Sequence, residues 1–419
     1  MILKELIVEN YRPFENERFP LSSKVTVIAG VNGRGKSSVL DALSLLLSRL
    51  LPQVTPASGG YKYLGPRDIH GHGQQLKLTL AATFEGIPVD FSICYETGGR
   101  QQVRKLLPQV RREILRIYGD PQRAGDAAPI AVYYTTDRAS YRMPKKLLNG
   151  FAQDQKAAYH GALFNRQVDF RDFMSRYATW VASVARGEDR GGRNQRTIDL
   201  IARVVLKFLP GFSDVRVEFE PLRLLVSKNG ETLDLSQLSD GERALFAVLI
   251  DLCRRLVLAN PELTDPALGS GVVLVDEIEL HLHPTWQREI VENLRQTFPN
   301  IQFILTTHSP FVIQSVREGE LVQLDHDEDQ PVEYADRSIE DIAENVMGID
   351  VPQKSQRYAD MIEAAERYFE VLRGELPAEE NQLAALKMRL DELAEPFSDD
   401  AAFQALLRVE RTAVLGGEA

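Results

Sequence analysis

Apolar and polar residues alternate loosely over residues 2–9, and a short β-branched run fills residues 24–29. Both patterns predict strands, and they lead into a glycine-rich turn. A helix is predicted over residues 36–51, and the alternation over residues 76–95 predicts a β-hairpin. Together these elements predict an antiparallel β layer beside the glycine-rich turn.

Continuous apolar runs mark further strands in the second half of the chain. Residues 272–275 and 301–306 form such runs, residues 130–135 read as a buried strand, and residues 241–258 predict a long helix. Short runs without alternation are typical of parallel strands that are covered on both faces. The predicted fold class is therefore α/β, with a mixed sheet in addition to the antiparallel β layer.

Two stretches of the chain read as mostly helical. Clustered arginines and lysines with amphipathic helical patterns follow Gly98, which predicts an inserted lobe, and helices are predicted over 357–373, 377–394 and 399–412. The predicted division is a head whose first part is 1–97, an inserted helical lobe at 98–197, the second part of the head at 198–350, and a helical tail at 351–419.

Composition narrows the class of protein. The 419 residues are 44% apolar and 26% charged, as in an ordinary globular protein, and the net charge of -11 argues against bulk electrostatic coating of nucleic acid. Two cysteines, Cys94 and Cys253, have apolar neighbours and suit a reducing compartment. The amino terminus has no apolar signal region and no run approaches a membrane span. We therefore expect a cytoplasmic protein without a membrane partner.

The glycine-rich turn carries the most specific motif of the chain. Residues 30–37, GVNGRGKS, match G-x-x-x-x-G-K-[ST] between a predicted strand and a predicted helix. Backbone N–H groups of such a turn surround phosphates, the Lys36 ammonium reaches the β and γ oxygens, and the Ser37 hydroxyl is a ligand for Mg²⁺. The motif predicts ATP and Mg²⁺ as cofactors, with binding by Gly30, Asn32, Gly33, Arg34, Gly35, Lys36, Ser37 and Ser38.

A second segment supplies carboxylates. The apolar run GVVLV ends in Asp276 and Glu277, which is the form of a Walker B motif. Asp276 is predicted to hold the Mg²⁺ shell, and Glu277 to orient or deprotonate the attacking water.

Two further segments resemble the ABC class of P-loop ATPases. The sequence LSDGER at 238–243 opens a predicted helix and resembles the ABC signature, and TTHSP at 306–310 resembles the region of the ABC switch histidine, here His308. In that class the signature of one subunit completes the nucleotide site of the other, which implies roles for Ser239, Gly241 and Glu242. Read alone, Ser239 is equally an N-cap, and Asp240 is interpreted as a cap of its own helix.

The signature, the segment NYRPF at 10–14 and the segment ELHLHP at 279–284 together resemble the RecF/SMC/OLD branch of ABC ATPases. The resemblance places Arg12 close to the nucleotide and implies an ABC-type head. Residues 1–40 and 230–320 are more closely similar to the ATPase subunits of Septu and retron-linked anti-phage systems. That family pairs its ATPase with a separately encoded HNH nuclease, so the resemblance implies such a partner and a head-to-tail homodimer or higher oligomer.

Weaker signals leave alternatives open. The basic residues of the predicted lobe either bind DNA or form exposed, paired helix faces. The first hypothesis is an ATPase that regulates a partner nuclease, and the alternative is a RecF-like repair ATPase that binds DNA through this lobe. Arg138 is a candidate for the residue that couples the lobe to the nucleotide site. A metal site at His281 and His283 and an acidic nuclease cluster at 325–329 are both disfavoured.

Overall fold

The computed structural model describes residues 1–57, 63–118, 128–139, 146–148, 150, 154–164, 167–189, 191–219, 222–324, 339, 342, 346, 356–372 and 380–394. The described residues fall into two compact units, Met1–Ile342 and Ala343–Ala419. No helix among them is long and apolar enough to cross a bilayer.

A five-stranded parallel sheet forms the centre of the first unit. Its order is β13-β3-β12-β11-β7, so β3 lies between strands that come much later in the chain. Every residue of β3, β7, β11 and β12 is buried, which explains why these strands read as continuous apolar runs. The bounds are β3 Val25–Ala29, β7 Ile130–Tyr134, β11 Gly271–Val275, β12 Ile301–Thr307 and β13 Leu321–Gln323.

An antiparallel sheet forms the predicted second layer. Its order is β2-β1-β4-β5-β6, and the hairpin β4–β5 pairs Phe84 with Ile87 across the turn at Glu85 and Gly86. One face alternates into the core, as in the buried Leu76, Leu78 and Leu80 of β4. The bounds are β1 Ile2–Tyr11, β2 Phe14–Pro20, β4 Gln75–Phe84, β5 Ile87–Glu96 and β6 Gln102–Val103.

Two hydrophobic clusters cover the two faces of the parallel sheet. Successive residues of a strand alternate between them, so that Val273 packs with helix α5 (Asp240–Ala259) and Leu274 packs with helix α1 (Lys36–Leu50). The antiparallel sheet shares the cluster that contains α1. The two faces of the parallel sheet are therefore covered, and a site can form at the ends of its strands.

A third sheet was not predicted. It has the order β10-β9-β8 and precedes the segment that resembles the ABC signature. The sheet escaped prediction because the tight turn at Asn229 and Gly230 joins two strands of only moderate alternation. The bounds are β8 Phe212–Phe219, β9 Leu222–Lys228 and β10 Glu231–Asp234.

The remaining helices of the first unit are α2 Pro108–Tyr118, α3 Phe170–Ala185, α4 Arg193–Phe208, α6 Pro284–Thr297 and α7 Pro310–Gln314. Strand β7 lies inside the range 98–197 for which a helical lobe is predicted, yet it pairs with β11 at the edge of the central sheet. The predicted lobe is therefore interrupted by a strand of the head, and α3 and α4 follow that strand.

The second unit contains two described helices, α8 Gln356–Leu372 and α9 Glu380–Ala394. They pack through a small apolar cluster that includes Met361, Phe369 and Leu390. Leu383, Leu386 and Leu393 lie against this cluster. The third predicted tail helix, over 399–412, lies outside the described residues.

Candidate nucleotide-binding site

The predicted site residues come together at one edge of the parallel sheet. Strands β3, β11 and β12 end immediately before the glycine-rich loop, Asp276 and His308 respectively, and β7 ends four residues before Arg138. Because the strands are parallel, their carboxyl ends share one edge. Ligands of open α/β sheets bind at that edge, where the order of the strands reverses.

Glycines shape the loop between β3 and α1. Gly35 is the N-cap of α1 and has a φ of 106°, a left-handed conformation that a side chain disfavours. A Cβ atom on Gly35 would also lie 2.6 Å from Phe14 Cζ and 2.6 Å from Pro13 Cγ. The turn between β1 and β2 therefore packs directly on the loop, and glycine is required for both reasons. The loop leads into a helix N-terminus, where backbone N–H groups and the helix dipole attract phosphate.

The Lys36 side chain curls back over the loop. Its Nζ donates to the carbonyl oxygens of Gly30 at 2.8 Å and Val31 at 3.1 Å, and lies 3.4 Å from His308 Nδ1. The ammonium group is thus held beside the loop, on the side of His308. A phosphate oxygen that enters the loop would meet this positive charge.

Ser37 and Asp276 provide oxygen atoms suited to magnesium. The Ser37 hydroxyl donates to Asp276 Oδ1 at 3.1 Å, although the two residues are far apart in sequence. Thr306 of β12 also donates its hydroxyl to Asp276 Oδ1, at 2.6 Å, and orients the carboxylate. A hydroxyl and a carboxylate are the protein ligands that Mg²⁺ takes beside phosphates. The geometry therefore fits the predicted metal site.

Glu277 has an unusual backbone conformation. Its φ is 47°, in the left-handed region that non-glycine residues rarely adopt. Its backbone N–H donates to Thr306 Oγ1 at 2.8 Å, and its carbonyl oxygen accepts from Leu280 N at 2.9 Å. The turn directs the chain away from β11 immediately after Asp276, and leaves the Glu277 side chain partly exposed at the site.

Arg138 binds the backbone of this turn. Its Nη1 donates to the Asp276 carbonyl at 2.5 Å and its Nη2 to the Glu277 carbonyl at 2.6 Å, while the side chain is only 4% exposed. Burial lowers the pKa of Arg138 to about 10, against the opposing influence of nearby carboxylates, so the guanidinium stays charged at neutral pH. The sequence singled out Arg138 for coupling to the lobe, but did not predict these two contacts.

Glu279 holds the strand end that carries His308. Its Oε1 accepts from the backbone N–H of His308 at 2.5 Å and its Oε2 from the Thr307 hydroxyl at 2.8 Å. Burial raises the pKa of Glu279, and the charge of Glu277 adds to the effect. Burial also lowers the pKa of His308, as does the neighbouring Lys36 ammonium. The role of Glu279 was missed, although its place three residues after Asp276 on the same edge was a signal.

The segment that resembles the ABC signature begins helix α5 with a capping box. The Ser239 hydroxyl accepts from the Glu242 N–H at 3.3 Å, and Glu242 Oε2 accepts from the Ser239 N–H at 3.1 Å. Glu242 is buried, and Lys228 Nζ donates to its other oxygen at 2.6 Å. Although burial alone would raise it, the pKa of Glu242 is lowered by the Lys228 and Ser239 hydrogen bonds. One oxygen of the Glu242 carboxylate therefore belongs to the helix cap, and the other is bound by Lys228.

The interpretation of Asp240 as a cap is wrong. Ser239 is the N-cap, and Asp240 is the first helical residue, with a largely exposed carboxylate paired to Arg243. Ser239 already accepts from the Glu242 N–H, so Asp240 is not needed as the cap.

Gly241 makes a close approach that no side chain would allow. A Cβ atom there would lie 2.1 Å from the His281 carbonyl oxygen. His281 itself has a φ of 63°, in the turn that follows Glu277 and Glu279. The start of α5 thus packs against the turn that follows β11.

Arg12 lies beside the first turn of α1. Its Nη1 donates to Asp41 Oδ2 at 2.7 Å and lies 3.4 Å from Ser38 Oγ, and its Nε donates to Asp68 Oδ1 at 3.0 Å. The structure thus brings together Arg12 and Ser38 near the phosphate loop. Asn32 and Arg34 lie exposed on the loop itself.

Comparison with known proteins gives the family. Residues 25–314 match the family described as "AAA domain, putative AbiEii toxin, Type IV TA system". The chain belongs to this AAA family. It is an ATPase, as its family and the names of its relatives indicate.

Named relatives extend the match beyond the AAA family domain. "Retron Ec83 probable ATPase" of Escherichia coli is 27% identical over 376 residues, covering 74% of this chain and 69% of that protein. "Septu protein PtuA" of Bacillus mycoides is 22% identical over 411 residues, covering 94% of this chain and 50% of that protein. The solved "SMC head domain from Thermotoga maritima" aligns with 77% of this chain and 94% of its own, at 16% identity and a TM-score of 0.42.

The weaker sequence signals find structural roles in this member of the AAA family. His283 is the N-cap of α6, where its Nδ1 accepts from the Thr285 N–H at 3.3 Å. Within the described part of the chain, no group of three or more His, Cys, Asp or Glu side chains could hold a metal ion. Residues 325–329 lie outside the described residues. Two of the basic residues form exposed ion pairs, Arg186 with Glu188 and Arg193 with Glu262.

Proposed function

We propose that this AAA-family ATPase binds ATP between two copies arranged head to tail, and that the closed pair regulates a partner nuclease in anti-phage defence. The observation that carries the proposal is the meeting of Lys36, Ser37, Asp276, Glu277 and His308 at one sheet edge. This is the phosphate-binding and hydrolytic half of an ABC-type site.

Each residue of this half has a chemical role. The loop amides and Lys36 bind the β and γ phosphates at the N-terminus of α1. Ser37 and Asp276 would hold Mg²⁺, which neutralises charge on the phosphates when bound. Glu277 orients the attacking water and accepts its proton, and His308 lies where it can contact the γ-phosphate.

The other half would come from the signature of a second copy. Helix α5 begins with Ser239, and a helix N-terminus is a favourable partner for a γ-phosphate. The capping box of Ser239 and Glu242 keeps this helix end rigid, so it can be presented across an interface without further ordering.

The nuclease partner is supported by the relatives. Proteins named for Septu and retron systems align with 94% and 74% of this chain. Nucleotide can control a partner only if the partner prefers one of the two states, closed or open. ATP binding would favour the closed pair, and hydrolysis at Glu277 would return the protein to the open state.

Replacement of Glu277 tests the site. Glu277→Gln keeps the shape of the side chain but removes the base, so ATP should bind and remain unhydrolysed. We expect an ATP-dependent dimer that persists in size-exclusion chromatography with light scattering, and at least about a hundredfold loss of kcat. Glu318→Gln, at an exposed glutamate, is the matched control. A Glu277→Gln protein that stays monomeric in saturating ATP would contradict the head-to-tail pair.

A mixing experiment tests the composite site directly. Lys36→Ala disables the phosphate loop and Ser239→Arg disables the signature, so each variant alone forms two defective sites. In a head-to-tail heterodimer, the intact loop of one variant meets the intact signature of the other. Mixing should therefore restore ATPase activity, and no restoration between two folded variants would exclude a shared site. Ser239→Ala controls for loss of the helix cap, which costs about 1 kcal/mol of stability.

The partner can be tested by co-expression with the neighbouring reading frame. Co-purification of a small HNH protein, and a change in its nuclease activity on adding ATP, would support the regulatory role. A neighbouring replication or repair gene whose product does not bind would favour the DNA-repair alternative.

A further inference from the structure

We propose that Arg138 is a positioning residue for ATP hydrolysis, which fixes the backbone of the Asp276–Glu277 turn and thereby aims the Glu277 carboxylate. This inference rests on the proposed role of Glu277. It assigns to Arg138 a function at the Asp276–Glu277 turn, in addition to the predicted role of coupling the lobe to the nucleotide site.

The turn needs a restraint because it is strained. Glutamate in a left-handed conformation is disfavoured by about 1 kcal/mol or more relative to the right-handed region. Strand β11 ends at Val275, so the sheet hydrogen bonds that would hold an extended backbone end just before Glu277. Without external contacts, Glu277 would relax and its carboxylate would move.

The restraint acts on both sides of Glu277. Thr306 Oγ1 accepts from the Glu277 N–H, and Thr306 O accepts from the N–H of Ile278 at 3.0 Å. Arg138 donates to the two carbonyls, one before and one at Glu277. The peptide groups that define the rotation of the turn are therefore held by hydrogen bonds from the neighbouring segments on either side of β11.

The chemistry of the guanidinium suits this task. Its planar N–H groups reach two successive carbonyl oxygens, and the same Nη1 also donates to Thr135 O at 3.2 Å. A lysine presents one donor nitrogen on a flexible stem, so it cannot place a separate nitrogen on each carbonyl as the guanidinium does. Burial strengthens these charge-assisted bonds because water does not compete for the carbonyls.

The position of Arg138 in the chain connects the Glu277 turn to the segment that follows β7. Arg138 lies four residues after the end of β7, in a segment that precedes α3 and α4 in the chain. A displacement of this segment would move the guanidinium, and with it the Glu277 turn. Arg138 therefore links the geometry of hydrolysis to the segment that follows β7.

The test separates hydrolysis from binding. Arg138→Met should lower kcat roughly tenfold to a hundredfold, the effect of a misplaced catalytic group, with KM for ATP changed by less than about threefold. It should also accumulate the ATP-dependent dimer, as Glu277→Gln does. Arg138→Lys should recover part of kcat, since one carbonyl contact can be retained.

Arg255→Met is the matched control. Arg255 is another buried arginine that donates to backbone carbonyls, Ala158 O at 2.7 Å and His160 O at 3.1 Å, and it also pairs with Asp251. Its replacement should lower the melting temperature without a selective loss of kcat. If Arg138→Met loses ATP binding and melting temperature in parallel with kcat, the positioning role is overturned.

Failure of the two proposals can be told apart. If Glu277→Gln abolishes hydrolysis while a folded Arg138→Met variant hydrolyses ATP normally, only the role of Arg138 is wrong. If Glu277→Gln itself retains normal kcat, the proposed catalytic site is wrong and the inference falls with it.

Discussion

Lys36 and His308 are in contact beside the phosphate loop, so the charge of the histidine matters there. Lys36 Nζ lies 3.4 Å from His308 Nδ1, and both burial and this ammonium lower the pKa of the histidine. Asp276 opposes the shift. The imidazole is therefore neutral at pH 7 and can accept a hydrogen bond from the lysine, whereas its protonation would place two positive charges side by side.

We predict an acid limb in the activity profile that depends on His308. The ring of His308 becomes charged as pH falls through its folded pKa, which is below the ordinary histidine value of about 6.5. The charged ring then repels Lys36, and kcat/KM declines. His308→Gln should be less active at pH 8 but should lose most of this decline between pH 8 and 5. Glu279, whose pKa is raised, contributes to what remains.

Parallel pH profiles of the wild type and His308→Gln check this prediction. An unchanged acid limb in the variant would show that another group controls it.

The lowered pKa of His308 also makes the folded protein less stable at acid pH. Because the folded pKa of His308 is below the unfolded one, its contribution to stability is present above about pH 6.5 and declines as pH falls through the folded pKa.

Contacts between residues distant in sequence mark the limit of prediction from one sequence. The Lys36, Asp276 and Glu277 motifs predicted a shared site because their local spacing is specific and parallel strands end at one edge. The Arg138 and Glu279 contacts were not predicted, since nothing in local spacing indicates which carbonyl a buried side chain will meet. Asp240 was misinterpreted because Asp and Ser are both good N-caps and only the backbone decides between them.

Strands and helices were predicted best where burial dominates. Strands β3, β11 and β12 and helices α1 and α5 follow the predicted ranges closely, because both faces of the strands are covered and the helices lie in the core. The hairpin β9–β10 was missed because its outer strand is short and largely exposed, which leaves little alternation to detect.

A buried ionic network links three elements of the first unit. Asp251 of α5 accepts from Tyr134 of β7 at 3.0 Å, and from Arg254 and Arg255 at 2.6 Å each. Arg254 also donates to Asp172 of α3 at 2.9 Å. The charges of Arg254 and Arg255 hold the pKa of Asp251 well below its usual range, even though burial opposes the shift. Strand β7, the signature helix and α3 are thereby joined through one carboxylate.

Removal of this carboxylate should strongly destabilise the protein. Asp251→Asn leaves the buried Arg255 guanidinium without its carboxylate partner and Arg254 with Asp172 alone, and breaking a buried pair in this way costs about 3–5 kcal/mol. We expect a large fall in melting temperature in thermal unfolding followed by circular dichroism. Glu262→Gln, which breaks the exposed pair with Arg193, should cost less than about 1 kcal/mol. Equal effects of the two substitutions would contradict a structural role for the network.

The charge of the whole molecule bears on the DNA-binding alternative. Residues 100–118 carry six arginines and lysines and one glutamate, within a chain of net charge -11. Arg111 and Arg112 of α2 already donate to nearby backbone carbonyls, of Gln53 and Pro108. A surface that docks a protein partner needs no counterion release, whereas a DNA-binding surface releases about one cation per phosphate contact.

We therefore predict weak DNA binding with a shallow salt dependence. The affinity for a short duplex, measured by fluorescence anisotropy from 50 to 200 mM salt, should change by less than about tenfold. The DNA affinity of Arg112→Glu is compared with that of Arg186→Glu. Arg186 lies at the carboxyl end of α3 and forms an exposed ion pair with Glu188. A fall of about a thousandfold over this range, abolished by Arg112→Glu alone, would favour the repair ATPase that binds DNA directly.

Gly241 lies close against the His281 carbonyl, so a movement at the start of α5 would press on the turn that follows β11. In a head-to-tail pair the first serves the partner's nucleotide and the second serves the subunit's own. Occupancy of one site would then alter turnover at the other, and linkage requires that the binding influence be mutual. The protein should accordingly show cooperativity, with a velocity that rises sigmoidally with ATP concentration and a Hill coefficient above one.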